Sequence, residues 1–168
     1  HLDAKLPQAG ILPAAGMART HALSTLMWMN NTVHPTFTHV FMPQKFTDDE
    51  AAQKAIRAFA LRAYRNLLGE IEALAVRATP WLAGAQPSAL DAYALTLLRW
   101  GGYAEIDPTS LPALWALAQR FAALPAVARV VEEATEPEEG LLGRVDADEL
   151  HVGGDAEPVE QPRIDRRA

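Results

Sequence analysis

The chain has 168 residues, of which 49% are hydrophobic and 21% are charged, and this predicts one globular domain with a buried core. No apolar run approaches the ~20 residues that cross a bilayer, and no signal-peptide pattern opens the chain, so we expect no membrane association. The absence of cysteine excludes disulfides, thiolate metal sites and cysteine nucleophiles, and it fits a reducing, cytoplasmic location.

Charge is distributed unevenly along the chain. Residues 136–168 carry ten acidic and four basic side chains, which accounts for the entire net charge of −6. The remaining residues are neutral overall and offer no basic surface to a phosphate backbone, so we expect no nucleic-acid binding. The acidic segment is also rich in Gly and Pro, which predicts a mobile, disordered tail over residues 136–168.

The first sixteen residues predict a linker-like connecting segment. Pro7, Gly10, Pro13 and Gly16 recur at intervals too short for a long helix. Because the chain begins with His1 rather than Met, we expect a fragment or a processed product. From Met17 onward these breakers stop, and residues 17–135 predict a helical domain.

The stretch "TVHPTFTHVF", residues 32–41, falls in the first long helix. His34, Phe37 and Phe41 stand at i, i+3 and i+7 and share one stripe. Pro35 removes an amide donor and clashes with the carbonyl of Asn31, which predicts a bend. Two interpretations stay open: a core stripe with His34 bonded to a carbonyl, or the wall of a pocket.

A metal site in this stretch is not expected. His34 and His39 are five residues apart, which separates them by about 140° on a helix, whereas helical metal pairs stand four residues apart. No glutamate lies between them.

The second helix is predicted from the stretch "DDEAAQKAIRAFALRAYRNLLGEIEALAVRA", residues 48–78, with Thr47 or Asp48 as its cap and Pro80 and Gly84 beyond its end. Its apolar residues recur at three- and four-residue steps, which predicts one buried stripe. The stripe contains Ile56, Phe59, Ala60, Ala63, Leu67, Ile71, Leu74 and Ala75.

A capping box opens the third helix. Ser88 stands three residues before Asp91, so the hydroxyl can accept the Asp91 amide while the carboxylate accepts the Ser88 amide. Capping occupies the Asp91 oxygens, which argues against Asp91 as a general base. The apolar run that follows predicts a buried, central helix that ends at Gly101 and Gly102.

Two shorter helices complete the prediction. Ser110 is the expected cap of the first, with Pro112 in its first turn, and Pro125 opens the second. No segment alternates with period two, so the chain is predicted to be all-α with about five helices.

These residues resemble a known family. "WLAGAQPSALDAYALTLLRW" followed by "PALWALAQRFAALPAV" is similar to the C-terminal helical domain of glutathione transferases, and bacterial, beta-class-like members are the most similar. The resemblance covers residues 2–133. It implies the five-helix bundle of that domain, with the opening segment matching the link from a thioredoxin-like domain.

The resemblance also implies roles for residues. The positions that line the electrophile pocket are His34, Phe37, Phe41, Tyr93 and Trp100. Asn31 matches a glutathione contact, and Ser88 and Asp91 match the structural capping box. Glutathione as co-substrate, a small apolar electrophile and a homodimer are the implied partners.

The chain departs from the family pattern at three points. Pro35 occupies a position that is often lysine, Pro87 replaces an apolar residue before the cap, and the thioredoxin-like domain lies outside these 168 residues. That domain supplies the group that activates the glutathione thiol, so the chain alone is not expected to catalyse. It would instead bury and position an apolar electrophile.

Two functions therefore stay open. In the first, the chain is the electrophile-binding half of a detoxifying glutathione transferase. In the second, it is a non-catalytic helical module of the same descent, which binds a protein or ligand through its apolar face.

Overall fold

The structure, a computed structural model, describes the backbone of residues 2–134 and the side chains of residues 3–131. This part of the chain is all-helical, apart from an isolated β-bridge between Trp81 and Gly84. After a four-residue α1 it has six longer helices. The helices are α1 (Leu2–Lys5), α2 (Gly16–Trp28), α3 (His34–Phe41), α4 (Glu50–Val76), α5 (Ala89–Trp100), α6 (Pro112–Ala122) and α7 (Pro125–Ala134).

The all-α prediction is confirmed, and the first of the five predicted helices is divided in two. A π-helical turn, Met29–Val33, separates α2 from α3. In this turn the amide of His34 donates to the carbonyl of Met29, five residues back. Pro35 follows at once in the first turn of α3, where a helix tolerates a residue without an amide hydrogen. The helical register therefore changes immediately before Pro35, and the bend predicted there stays a prediction.

The longest helix, α4, buries three of the eight residues of the predicted stripe, Ala60, Ile71 and Ala75, and its buried face otherwise differs from the prediction. Phe59 is 67% exposed, while Tyr64 and Leu68 are fully buried in place of the neighbouring Ala63 and Leu67. The expected caps, Thr47 and Asp48, were also wrong. The cap is Asp49, whose carboxylate accepts the amides of residues 51 and 52.

The central helix is α5, which packs against α2, α4 and α6. Half of its twelve residues are buried: Leu90, Asp91, Ala94, Leu95, Leu97 and Leu98. The Ser110 cap predicted for α6 was wrong, because Ser110 donates to the Asp107 carbonyl instead. The α6 amides of Ala113 and Leu114 donate to the Glu72 carboxylate of α4, at 3.0 and 2.6 Å.

The opening segment is held against the helices. Arg19 of α2 binds the Asp3 carboxylate at 2.6 Å and the Pro13 carbonyl at 2.9 Å. The Ile11 carbonyl accepts the Ala89 amide at 2.8 Å, which connects the segment to the first turn of α5. The acidic tail predicted over residues 136–168 lies outside the described residues.

No single helix within residues 2–134 has the length and apolar composition needed to cross a membrane. By length and composition alone, one bent pair could do so, made of α6 and Pro125–Val131 at 93° to each other.

Candidate functional site

An open cleft of about 320 Å³ lies where α3 faces the end of α5. His34, Phe37 and Phe41 come from α3, Trp100 from the last position of α5, and Tyr103 from the 3₁₀ turn that follows. Phe37 is buried, with 7% of its surface exposed, whereas the other four rings are half-buried. The i, i+3, i+7 stripe of α3 therefore forms one wall of an opening.

The rings of the cleft contact one another closely. Phe37 lies at the centre, stacked on Trp100 with centroids 4.8 Å apart and on Phe41 at 5.8 Å. His34 meets the Trp100 indole edge-on at 4.7 Å, and Tyr103 meets Phe41 edge-on at 5.3 Å. Such aromatic pairs are worth about 0.5–1.5 kcal/mol each beyond burial, so these walls are held in place before any ligand arrives.

His34 is held by a hydrogen-bond chain behind the cleft. Its Nδ1 lies 2.7 Å from the Tyr93 hydroxyl, which lies 3.4 Å from the Asn30 carboxamide oxygen. The Asn30 amide nitrogen donates to the Asn31 oxygen at 3.0 Å. Because Tyr93 has one hydroxyl hydrogen, its donation to Asn30 requires a protonated Nδ1 that donates to Tyr93. The neutral imidazole then keeps its lone pair on Nε2.

Burial affects the two tyrosines beside this chain. It raises the pKa of Tyr93, so the phenol that contacts His34 is neutral at physiological pH. Burial and, to a lesser extent, the neighbouring Tyr93 raise the pKa of Tyr64 far above its ordinary range. Tyr64 stacks obliquely on Phe37 and donates to the Leu97 carbonyl at 2.6 Å.

Sequence reasoning missed several residues of the cleft. The lining also contains Lys45, Thr38, Met42 and Tyr103. Arg57 of α4 connects α3 to the turn that contains Tyr103. The Arg57 guanidinium donates to the Val40 carbonyl at 2.6 Å and to the Tyr103 carbonyl at 3.5 Å. Arg57 was detectable only as a charge within the otherwise apolar side of α4.

The other predicted site residues lie near the cleft or apart from it. Tyr93 is behind His34 rather than in the lining, and Asn31 is exposed on the π-helical turn. Ser88 and Asp91 form the capping box at the opposite end of α5 from Trp100. Asp91 is fully buried and accepts the Ser88 amide, the Ser88 hydroxyl and the Leu82 amide at 2.8, 2.8 and 2.9 Å.

The two histidines of residues 32–41, His34 and His39, have separate partners. His39 Nδ1 donates to the Pro35 carbonyl at 2.7 Å, and the ring stacks on Phe46 with centroids 4.0 Å apart. Among the described residues, no group of three or more His, Asp or Glu side chains could hold a metal ion.

Comparison with known proteins places these features in context. No protein-family model matches the chain. The chain is 31% identical over 110 residues to glutathione S-transferase GST-4.5 of Xanthomonas campestris pv. campestris, a match that covers 64% of this chain and 53% of that protein. The chain thus spans about half the length of this curated relative.

The chain is also similar to solved structures of glutathione S-transferases. A sphingomonad glutathione S-transferase in complex with glutathione is 28% identical, with a TM-score of 0.65. A beta-class glutathione S-transferase of Sphingomonas chungbukensis is 25% identical, with a TM-score of 0.64. Each match covers 79% of this chain and 62% of the other. These likenesses in sequence and fold show that the chain is homologous to glutathione transferases of the beta-class-like type.

Proposed function

We propose that this chain is the electrophile-binding half of a glutathione transferase. The observation that carries the proposal is the aromatic cleft, in which an imidazole and four aromatic rings surround about 320 Å³. Burial in such a cleft favours an apolar ring through the hydrophobic effect and through stacking. The contribution of the cleft is to bind and orient the electrophile.

His34 is the polar group on the α3 wall that we expect to orient the electrophile. Its Nδ1 is engaged by Tyr93, so Nε2 can accept a hydrogen bond when neutral and can donate one when protonated. Such a group can orient an electrophile that carries a nitro, carbonyl or halide substituent. The Tyr93 phenol stays neutral and keeps the ring in one orientation.

The first experiment compares two histidine variants of the full-length gene product. We expect His34→Ala to lower kcat/KM for conjugation of 1-chloro-2,4-dinitrobenzene with glutathione by roughly tenfold, through lost positioning. The matched control is His39→Ala, which removes a histidine from the same helix but outside the cleft. We expect it to retain activity. Melting temperatures of both variants check that the fold is intact.

Two results would contradict the assignment. Equal losses in the two variants would show that the cleft has no special role. Unfolding of the His34 variant alone would mean that this side chain is a core residue.

We propose that glutathione binds beside the cleft, with Asn31 as one contact and with the thiol activated by a thioredoxin-like domain outside these residues. Asn31 supports this because it is exposed on the π-helical turn and close to the His34 chain. The related sphingomonad enzyme forms a complex with glutathione. Asn31→Ala should raise KM for glutathione about threefold to tenfold, with KM for the electrophile unchanged.

We propose a homodimer as the working assembly. Leu23 and Met27 of α2 are 39% and 54% exposed and share one face, since they are four residues apart. Their exposure fits an interface with a second copy. Light scattering should show a dimer that Leu23→Glu with Met27→Glu dissociates, whereas the control Met17→Glu, on another side of α2, leaves it intact.

A non-catalytic ligand-binding module is the second candidate function, favoured by Pro35 where the family often has lysine. It predicts that the full-length product binds aromatic ligands but does not conjugate them. A role in detoxification and a cytoplasmic location stay predictions; fractionation of cells that express the gene tests the location.

A further inference from the structure

Several of the polar groups that line the cleft can donate hydrogen bonds, and one of them, Lys45, is a cation. Lys45 lines the cleft, and no Asp or Glu side chain does so. The Tyr103 hydroxyl and the Trp100 indole N–H have no hydrogen-bond partner within the part of the chain that the structure describes. An aromatic floor with unpaired donors above it is complementary to an aromatic anion.

The Lys45 ammonium is not neutralised by a neighbouring carboxylate. Across the described residues, one pair of opposite charges lies within 4.0 Å, Arg19 with Asp3. The acidic residues that follow Lys45 in the sequence are Asp48, Asp49 and Glu50, and none pairs with it. The Asp49 carboxylate is occupied by two amides of α4.

The backbone places Lys45 at this position. Lys45 ends a 3₁₀ turn, Pro43–Lys45, in which its amide donates to the Met42 carbonyl at 3.1 Å and the Phe46 amide donates to the Pro43 carbonyl at 3.1 Å. The turn follows α3 directly, so Lys45 is four residues beyond Phe41 and lines the same cleft. Its side chain is long and exposed, and it can reach a charged group on a ligand stacked against the rings.

We propose that the cleft selects aromatic electrophiles that carry an anionic group, such as a carboxylate or sulfonate, and that Lys45 determines this selectivity. The inference rests on the proposed function and names its substrate class. The ring of the ligand stacks on Phe37, Phe41 and Trp100, and its anionic substituent points toward Lys45 and the Tyr103 hydroxyl. A neutral analogue of the same shape loses the charge-assisted contacts and keeps the stacking.

The experiment uses a matched pair of probes and the full-length gene product. Naphthalene-2-sulfonate and the uncharged naphthalene-2-sulfonamide are titrated by calorimetry in low salt, without glutathione. We expect the anion to bind about threefold to tenfold more tightly, the range of a partly exposed charge contact. Lys45→Met should reduce this ratio to about one, Lys45→Arg should keep it, and the control Lys54→Met, an exposed lysine of α4, should leave it unchanged.

The outcomes separate this inference from the proposed function. If both probes bind equally and Lys45→Met changes neither, the inference fails while the electrophile cleft stands. If neither probe binds and no glutathione conjugate forms, the proposed function itself fails. A third titration, with glutathione alone, tests the other source of carboxylates. If Lys45→Met weakens only glutathione, the lysine serves the tripeptide and the inference is overturned.

Discussion

Replacing Asp91 by asparagine tests the buried cap of α5, the helix whose last residue is the cleft residue Trp100. The carboxylate is fully buried and accepts three hydrogen bonds, from the Ser88 amide, the Ser88 hydroxyl and the Leu82 amide. In Asp91→Asn one oxygen becomes an NH₂ group. Whichever way this amide turns, at least one backbone N–H then faces a donor instead of an acceptor.

The expected cost follows from these contacts. A hydrogen bond to a charged group is worth about 1.5–3 kcal/mol, and a buried donor without a partner costs about 1–3 kcal/mol. The remaining bonds become weaker because the acceptor is no longer charged. We therefore expect Asp91→Asn to lower the free energy of unfolding by about 3 kcal/mol. Ser88→Ala, which removes a hydroxyl cap, should cost about 1 kcal/mol.

The assay is urea unfolding of the full-length gene product, followed by circular dichroism at 222 nm. Asp107→Asn is the matched control, because Asp107 also accepts a backbone amide, that of Thr109 at 2.9 Å, but is exposed. It should cost less than about 1 kcal/mol. Equal effects at Asp91 and Asp107, or a loss below about 1 kcal/mol at Asp91, would refute the argument that burial makes this cap costly to disrupt.

Three further predictions concern stability. Burial raises the pKa of Tyr64 above its ordinary value of 10.0, so the unfolded chain loses the phenol proton at a lower pH than the folded chain does. The free energy of unfolding should therefore fall above pH 10 by up to about 1.4 kcal/mol per pH unit. Tyr64→Phe should make this fall less steep in urea titrations at alkaline pH. Gly101→Ala should be about 1 kcal/mol less stable than Gly102→Ala in thermal melts. A Cβ at position 101 would lie 3.3 Å from a methyl group of the buried Leu68, whereas a Cβ at position 102 would have no atom within 4 Å. Glu72→Gln should cost about 1–2 kcal/mol of unfolding free energy, because the carboxylate caps α6.

Features encoded within a few consecutive residues were predictable from the sequence. The capping box of α5 needs only Ser88 and Asp91, three positions apart, and it is present. Pro112 and Pro125 mark the starts of α6 and α7, and Gly101 ends α5. For the capping box and the two prolines the physical cause, a side chain that can reach the backbone or a missing amide hydrogen, acts within one helical turn.

Features that depend on distant partners were not predictable in this way. Ser110 was the best local cap for α6, but Glu72 takes that role from about forty residues away. On α4, counting apolar residues favoured Phe59, although the face turned toward α3 and α6 is the one that buries Tyr64 and Leu68. The sequence of α4 has apolar residues on most of its sides, so their periodicity alone could not show which of two adjacent stripes is buried.

The cleft has features of both kinds: one wall follows from residues close together in the sequence, and the rest depends on distant ones. Residues 34–41 lie within one unbroken helix, α3, so the i, i+3, i+7 spacing placed His34, Phe37 and Phe41 on one side correctly. The π turn before them shifts the register, so no stripe counted from α2 could have continued into α3. The facing wall comes from the end of α5, and Lys45 from a 3₁₀ turn, which have no periodic relation to α3. Spacing could therefore predict that these three side chains share one side of α3, but not whether that side is core or the wall of an opening. The charge of the cleft depends on residues that only the folded chain brings together.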